Sequence, residues 1–256
     1  MFGVAWLSIA PVKGLALLAV EEVELLTSGV ADNRRFHLVD ERGELYNALG
    51  DGRLLTVVPD YDGDNDVLTL RFPDGSTVSG SAGVDGELTT DFYGRLVPGR
   101  LVVGPWGAAL SSYCGKPIRV VRSDVSGAAV DRGNGAVSLV SEASVAELSR
   151  RSGTDVDPRR FRMLVGLRGC TPHEEDEWLG RRVRLGEAVV RPLGTVARCA
   201  ITTRNPDTGH RDFATLRAIS AYRVPRPWSE GIDFGVYGEV VEPGRVRVGD
   251  EVEPLR

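Results

Sequence analysis

Short apolar stretches cut by glycine, proline and acidic turns run through most of the chain. In "VLTLRFPDGSTVSG", Val67, Thr69 and Arg71 alternate with Leu68, Leu70 and Phe72. Successive side chains of a strand point to opposite faces, so this spacing predicts a strand, and Pro73-Asp74-Gly75 predicts a turn into a second one. "AVEEVELLTSG" predicts a strand stopped at Ser28-Gly29, and "RRFHLVDERGELY" predicts strand, turn, strand. The opening "MFGVAWLSIAPVKG" is too short and too poor in basic residues for a secretory leader, and is read as a first strand. "FRMLVGL", "RRVRLGEAVVRPLG" and "FGVYGEVVEPGRVRVGD" predict further strands.

Helical patterns are few. Residues 105–115 begin with proline and end with glycine, as a short helix does. Residues 141–153 place Val145 and Leu148 on one side, Arg150 and Arg151 in the last turn, and Gly153 after it. Residues 212–223 space Leu216, Ile219 and Tyr222 three apart behind Asp212, the expected N-cap. The expectation is a mainly β fold of barrel or sandwich type with a few helices. A boundary is expected near residues 104–116, giving units 1–104 and 105–256.

Charge narrows the functional classes. The formal net charge of -5 argues against a general nucleic-acid binder, which needs a broad basic face. Arginines are nevertheless locally dense. No uninterrupted apolar run reaches the roughly 18 residues of a membrane span. The three cysteines, Cys114, Cys170 and Cys199, are odd in number, widely spaced and free of any CxxC. That argues against a disulfide framework or a structural zinc site, and points to a reducing, cytoplasmic setting.

Several local patterns bear on chemistry. "DYDGDND" starts like a calcium loop but has Asn65 where glycine is needed and Arg71 where a bidentate glutamate is needed, so an exposed acidic turn is expected. His37, His173 and His210 share no metal-ligand spacing, and His173 is expected in a solvated loop. Lys13 follows a predicted strand and can meet an anion at its end. One of Arg34 and Arg35 should face inward, toward an acidic partner or an anionic ligand. "DPRRFRML" repeats the situation with Arg159, Arg160 and Arg162. Cys199, in "VARCAITTRNPDTG", has Arg198 and Arg204 nearby, which favour a thiolate. A small buried core residue is the other reading of an isolated cysteine. Cys114 reads as core and Cys170 as a loop residue.

Together these pieces resemble one family. "IAPVKGLALLAVEEVELLTSGVADNRRFHLVDERG" is similar to the β-barrel domain that precedes MOSC domains. "AVSLVSEASVAEL", "DPRRFRMLV", "HEEDEWLGRRVRLGEAVVRPLGTVARCAITTRNPDTG" and "TLRAISAYR" resemble the MOSC domain itself, as found at the C-terminus of molybdenum cofactor sulfurases. The resemblance implies an N-terminal barrel-like domain packed on a MOSC β-barrel, with molybdenum cofactor (molybdopterin) bound between them. It further implies an oxidoreductase that reduces N-hydroxylated compounds. Cys199 matches the family's molybdenum ligand. Lys13, Arg34 and Arg160 match basic residues that hold the pterin and its phosphate. Ser138 and Ser144 fall where hydroxyls can contact the same ligand, and Arg198 is expected to favour the thiolate and contact the pterin. The family's Lys-Ser is Lys13-Gly14 here, its Asp-Arg is Asn33-Arg34, and its Arg-Phe-Arg-Pro-Asn is "RFRML". No cysteines are spare for an iron–sulfur cluster, so electrons are expected from a separate donor protein. A cofactor carrier or sulfur-transfer protein, or a biosynthetic enzyme on the same fold, are the alternative readings.

Overall fold

The computed structural model describes residues 1–124, 135–224 and 231–255. Strands dominate, as the alternating patterns predict. Seven close into a barrel: β1 (Phe2–Ile9), β2 (Val137–Ser141), β3 (Val165–Arg168), β4 (Val183–Leu185), β5 (Ala188–Ala197), β6 (Asp233–Glu242) and β7 (Glu251–Pro254). Their order around the ring is β1-β3-β2-β6-β5-β4-β7 and back to β1. β1 closes it, pairing antiparallel with β3 (Leu7 opposite Val165) and with β7 (Phe2 opposite Val252). The inward positions form one core, with Val4, Leu7, Leu139, Val165, Leu185, Val190 and Val236 at its centre; in β1 a register shift between Val4 and Trp6 breaks the alternation, so that Val4 and Leu7 both face inward.

A second core lies in a half-barrel. Its five-stranded sheet runs Leu45–Tyr46, Phe36–Val39, Arg119–Ser123, Arg95–Val102, Val84–Phe92. A three-stranded sheet of Val58–Asp62, Val67–Arg71 and Thr77–Ser81 flanks it, and Pro73-Asp74-Gly75 sits in the connection between the last two, with Gly75 at φ 86°. The acidic "DYDGDND" ends the first of these strands as a tight turn, in which Asp62 accepts from the backbone N–H groups of Asp64 and Asn65.

The two cores interleave along the chain. β1 belongs to the barrel, whereas helix α1 (Trp106–Cys114) and strand Arg119–Ser123 belong to the half-barrel. Trp106 is fully buried there and donates from Nε1 to the Leu68 carbonyl at 3.0 Å. Strand Glu22–Leu25 crosses back to pair with Gly244–Arg247. These exchanges hold the units together and fix the cleft between them.

Helix α2 (Glu142–Ser152) has the predicted ends: Ser141 caps it by accepting from Ser144 N–H, and Gly153 closes it at φ 68°. Helix α3 is shorter than the pattern implies, Thr215–Ser220, with Ala214 at its N-cap. Asp212 is drawn away to Arg160 Nη2 (2.7 Å) and Asn205 Nδ2 (2.8 Å), and a charged partner outcompetes a cap three residues on.

Candidate functional site

β5 delivers Cys199. The strand ends at Ala197, where Arg198 N–H turns to the Ile232 carbonyl at 2.8 Å. Cys199 then leads into a single 3-10 turn, Ala200–Thr203. Its carbonyl accepts from Thr202 N–H at 3.2 Å and Thr202 Oγ1 at 3.1 Å, while its thiol caps nothing and is exposed. The following Asn-Pro-Asp-Thr-Gly is closed by Asn205, whose Oδ1 accepts from Asp207 N–H (2.8 Å) and Thr208 N–H (3.2 Å). Asparagine mimics a backbone turn in this way and closes the loop with its own side chain.

Arg198 fixes the turn from beneath. Its Nε donates to the Phe234 carbonyl (2.8 Å), Nη1 to the Phe161 carbonyl (2.8 Å) and Nη2 to Met163 Sδ (2.8 Å). The guanidinium also lies 5.2 Å from the centre of the Phe161 ring, which stacks on Phe234 at 4.4 Å. Its planar fork therefore ties β5, β6 and the segment after residue 160 into one unit.

Cys199 opens into a cleft of about 330 Å³ between the half-barrel and the barrel. Lys13, Arg34, Asn47 and Tyr93 line it from one side; Ser138, Arg162, Arg198, Thr202 and Tyr237 line it from the other. Among the described residues its walls carry the cations Lys13, Arg34, Arg162 and Arg198 and no carboxylate. Such a concentration of like charge in a partly enclosed space is stabilised by an anion.

The sequence places these cations by local means. Arg34 (φ 56°) and Arg162 (φ 52°) both occupy left-handed backbone, which costs a non-glycine residue about 1 kcal/mol or more. Asn33, 1% exposed, accepts from Ala10 N–H through Oδ1 at 3.0 Å, and Arg34 N–H meets the Ala10 carbonyl at 2.7 Å. An aspartate would make the same Oδ bond, so the Asn33 departure preserves the position of Arg34. Gly14 stands at φ 92°, where serine would be strained. Met163 and Leu164, in place of the family's Pro-Asn, are absorbed by packing: both are 2% exposed. Arg162 Nη2 reaches across to the Leu15 carbonyl at 2.7 Å, and Arg34 Nη2 to the Arg162 carbonyl at 3.3 Å.

Lys13 acts on a buried neighbour. His37 is fully buried, with Nδ1 3.0 Å from Ser123 Oγ and Nε2 2.9 Å from Thr90 Oγ1. Burial first, and the Lys13 charge second, bring its pKa down to about 4. His37 is a hydrogen-bonded core residue behind the cleft wall. His173, expected in solvent, is half-buried, its Nε2 3.2 Å from Tyr222 OH and its ring against Phe234.

Five of the expected residues, Lys13, Arg34, Ser138, Arg198 and Cys199, thus share one cleft. Ser144 and Arg160 do not line it. Ser144 is buried in the α2 cap: its Oγ donates to Glu175 Oε1 at 2.8 Å and accepts from His173 N–H at 2.8 Å. Arg160 turns toward Asp212 and a neighbouring cavity. The cleft receives Arg162 instead, two residues along: Arg160 lies within the 3-10 turn Pro158–Phe161, and Arg162 is the left-handed residue that ends it. Cys114 is core, as expected, and Cys170 packs against the barrel core. Burial pushes their thiols up to about 11 and about 12, respectively, so neither is poised as a thiolate.

Comparison with known proteins agrees with this architecture. Residues 119–253 match the MOSC domain and residues 1–92 the MOSC N-terminal beta barrel domain. The Bos taurus protein named mitochondrial amidoxime reducing component 2 is 34% identical over 122 residues, 45% of this chain and 36% of the relative. The Mus musculus mitochondrial amidoxime-reducing component 1 is 32% identical over 120 residues, 44% of this chain and 35% of the relative. These two matches therefore span only about a third of each relative's length. The Xenopus laevis mitochondrial amidoxime-reducing component 1 is 26% identical over 281 residues, covering 97% of this chain and 81% of that one.

Proposed function

The chain belongs to the MOSC domain family, and on that premise we propose that it is a molybdenum-cofactor oxidoreductase that reduces the N–O bond of N-hydroxylated compounds. The observation that carries this reading is the exposed Cys199 thiol at the mouth of a cleft whose described walls hold four cations and no carboxylate. A soft thiolate suits a metal already held by dithiolene sulfurs, and the cations suit the anionic phosphate of a pterin. The donor set therefore fits the cofactor.

In this reading Cys199 is the sole protein ligand to the metal. Lys13, Arg34 and Arg162 hold the anionic part of the cofactor, and Ser138 adds a hydroxyl. Arg198 keeps the Cys199 turn in place through its bonds to the Phe161 and Phe234 carbonyls. The bound cofactor would supply two-electron redox chemistry. The overall change adds two electrons and two protons to an N–OH group, leaving N–H and releasing water. The electrons come from a separate donor protein and the protons from water in the open cleft. Compartment is a separate matter: the relatives' names are mitochondrial, and no described helix is long and apolar enough to cross a membrane.

Protein made in a host that synthesises the cofactor tests the proposal. Near-stoichiometric molybdenum with pterin, and reduction of benzamidoxime with an artificial electron donor, are expected. Absence of molybdenum would remove the reading, while molybdenum without turnover of any N-hydroxylated substrate would favour a carrier.

A further inference from the structure

The hairpin that joins Val84–Phe92 to Arg95–Val102 turns at the rim of the Cys199 cleft. Phe92 stands opposite Arg95, so Tyr93 and Gly94 alone make the turn. Both hold positive φ, 56° and 93°, as a two-residue turn of the mirror-image type requires. Asparagine, aspartate and glycine suit the first position of that turn, because a bulky side chain in left-handed backbone is strained. Gly94 fits the second position, and its N–H is held by Asp91 Oδ1 at 2.6 Å. Tyr93 is the residue that local folding does not explain.

Packing does not explain it either. Tyr93 is 76% exposed. Its neighbour Phe92 supplies the anchor: it is 5% exposed, stands edge-on to the His37 ring at 4.9 Å, and clusters with Val97 and Leu45. Tyr93 instead lines the cleft, and its hydroxyl is tethered there. Asn47 Nδ2 donates to the Tyr93 hydroxyl at 2.9 Å, and Asn47 is itself oriented by accepting from Leu49 N–H through Oδ1 at 2.9 Å. The ring is thus fixed at its backbone end and at its tip. An aromatic side chain held in this way presents a face to a flat ligand at little cost in conformational entropy. Strained backbone beneath an exposed ring, at the mouth of a binding cleft, is accounted for by what the ring touches when the cleft is filled.

We propose that Tyr93 is a specificity-determining residue of the Cys199 site. Its ring stacks on the organic part of the substrate and selects aromatic N-hydroxylated compounds over aliphatic ones. This rests on the function proposed above, because it assigns the substrate of the same cleft. No proton or electron passes through Tyr93.

Benzamidoxime and acetamidoxime carry the same N-hydroxylated group on an aromatic and on an aliphatic carbon. KM for each, with cofactor-loaded protein and an artificial electron donor, tests the proposal. The wild type is expected to have the lower KM for benzamidoxime. Tyr93→Asn should raise the ratio of the benzamidoxime KM to the acetamidoxime KM about three- to tenfold, the worth of one aromatic contact. A merely structural role would move both substrates together. Tyr93→Phe keeps the ring and should leave the ratio close to wild type. Asparagine suits the turn, so Tyr93→Asn should melt no lower than wild type, and misfolding cannot mimic the effect. The same ratio is read without turnover as a ratio of Kd values by ligand-observed NMR. A wild type that prefers benzamidoxime in binding but reduces neither compound would remove the reductase reading and support the role of Tyr93. No preference for benzamidoxime in the wild type, or an unchanged ratio in Tyr93→Asn, would overturn the proposal. A fall in pterin content in Tyr93→Asn would also overturn it, by placing the ring against the cofactor.

Discussion

Arg198 Nη1 holds the carbonyl of Phe161 at 2.8 Å, so the residue before Cys199 is fastened to the turn that presents Arg162. The thiol and one of the cations that share its cleft are therefore not independent. Replacing Arg198 with alanine leaves the Phe161 and Phe234 carbonyls without these donors. We expect a loss of about 2–4 kcal/mol in urea unfolding, from about 1–3 per unmade buried bond. Arg198→Lys should recover only the smaller part, because an ammonium cannot span three acceptors. A stability change below about 0.5 kcal/mol, typical of a neutral surface substitution, would show that the fork is not a structural clamp.

Cys199→Ser should separate chemistry from folding. The thiol is exposed and makes no cap, so the melting temperature should stay within about 2 °C of wild type, the shift produced by well under 1 kcal/mol. Reduction of N-hydroxylated substrates should be abolished, since a hydroxyl is a harder and far less acidic donor than a thiol. Wild-type turnover in the serine variant would refute the ligand assignment.

His37 gives the fold a pH dependence. Its folded pKa, about 4, lies below the unfolded value near 6.5, so the unfolded chain binds the extra proton in between. Its contribution is complete above pH 6.5 and declines as pH falls toward 4, by about 3 kcal/mol in all. His37→Gln should flatten this part of the stability curve. The difference between wild type and variant, measured by denaturant unfolding from pH 7 to 4, isolates it from the carboxylates. Parallel curves would mean that His37 titrates normally.

Ser144 should prove structural. Its Oγ joins Glu175 to the His173 backbone, and burial raises the Glu175 pKa. Ser144→Ala should cost about 1–3 kcal/mol through orphaned buried polar atoms, with pterin content per folded chain unchanged. Pterin loss without destabilisation would return Ser144 to the cofactor site.

Legibility differed between fold and site. Period-two alternation at 67–72 and the capped pattern at 141–153 state local structure directly, and both elements formed where expected. The sequence pattern over 212–223 is longer than α3 because Asp212 has the spacing of a cap, while its partner in the fold, Arg160, lies 52 positions away. The same distance effect hid the difference between Arg160 and Arg162. Spacing alone cannot reveal that Arg162 adopts φ 52° and turns into the cleft. Nor does the sequence show that β1 completes a barrel built mostly from residues after 135, since pairing across that separation leaves no local mark.

That closure has a consequence for the newly made chain. All the buried residues of the half-barrel core lie between Val12 and Val120, so this unit can consolidate early in synthesis. The strand made before it must wait, because its neighbours β3 and β7 emerge much later. Closure therefore carries a large loop entropy and should be the slow event in folding. A fragment limited to residues 119–253 would leave β3 and β7 as bare edges, which invite pairing with other chains. Its natural remedy is a peptide: the Phe2–Ile9 segment supplied in trans should seat between those edges and restore solubility.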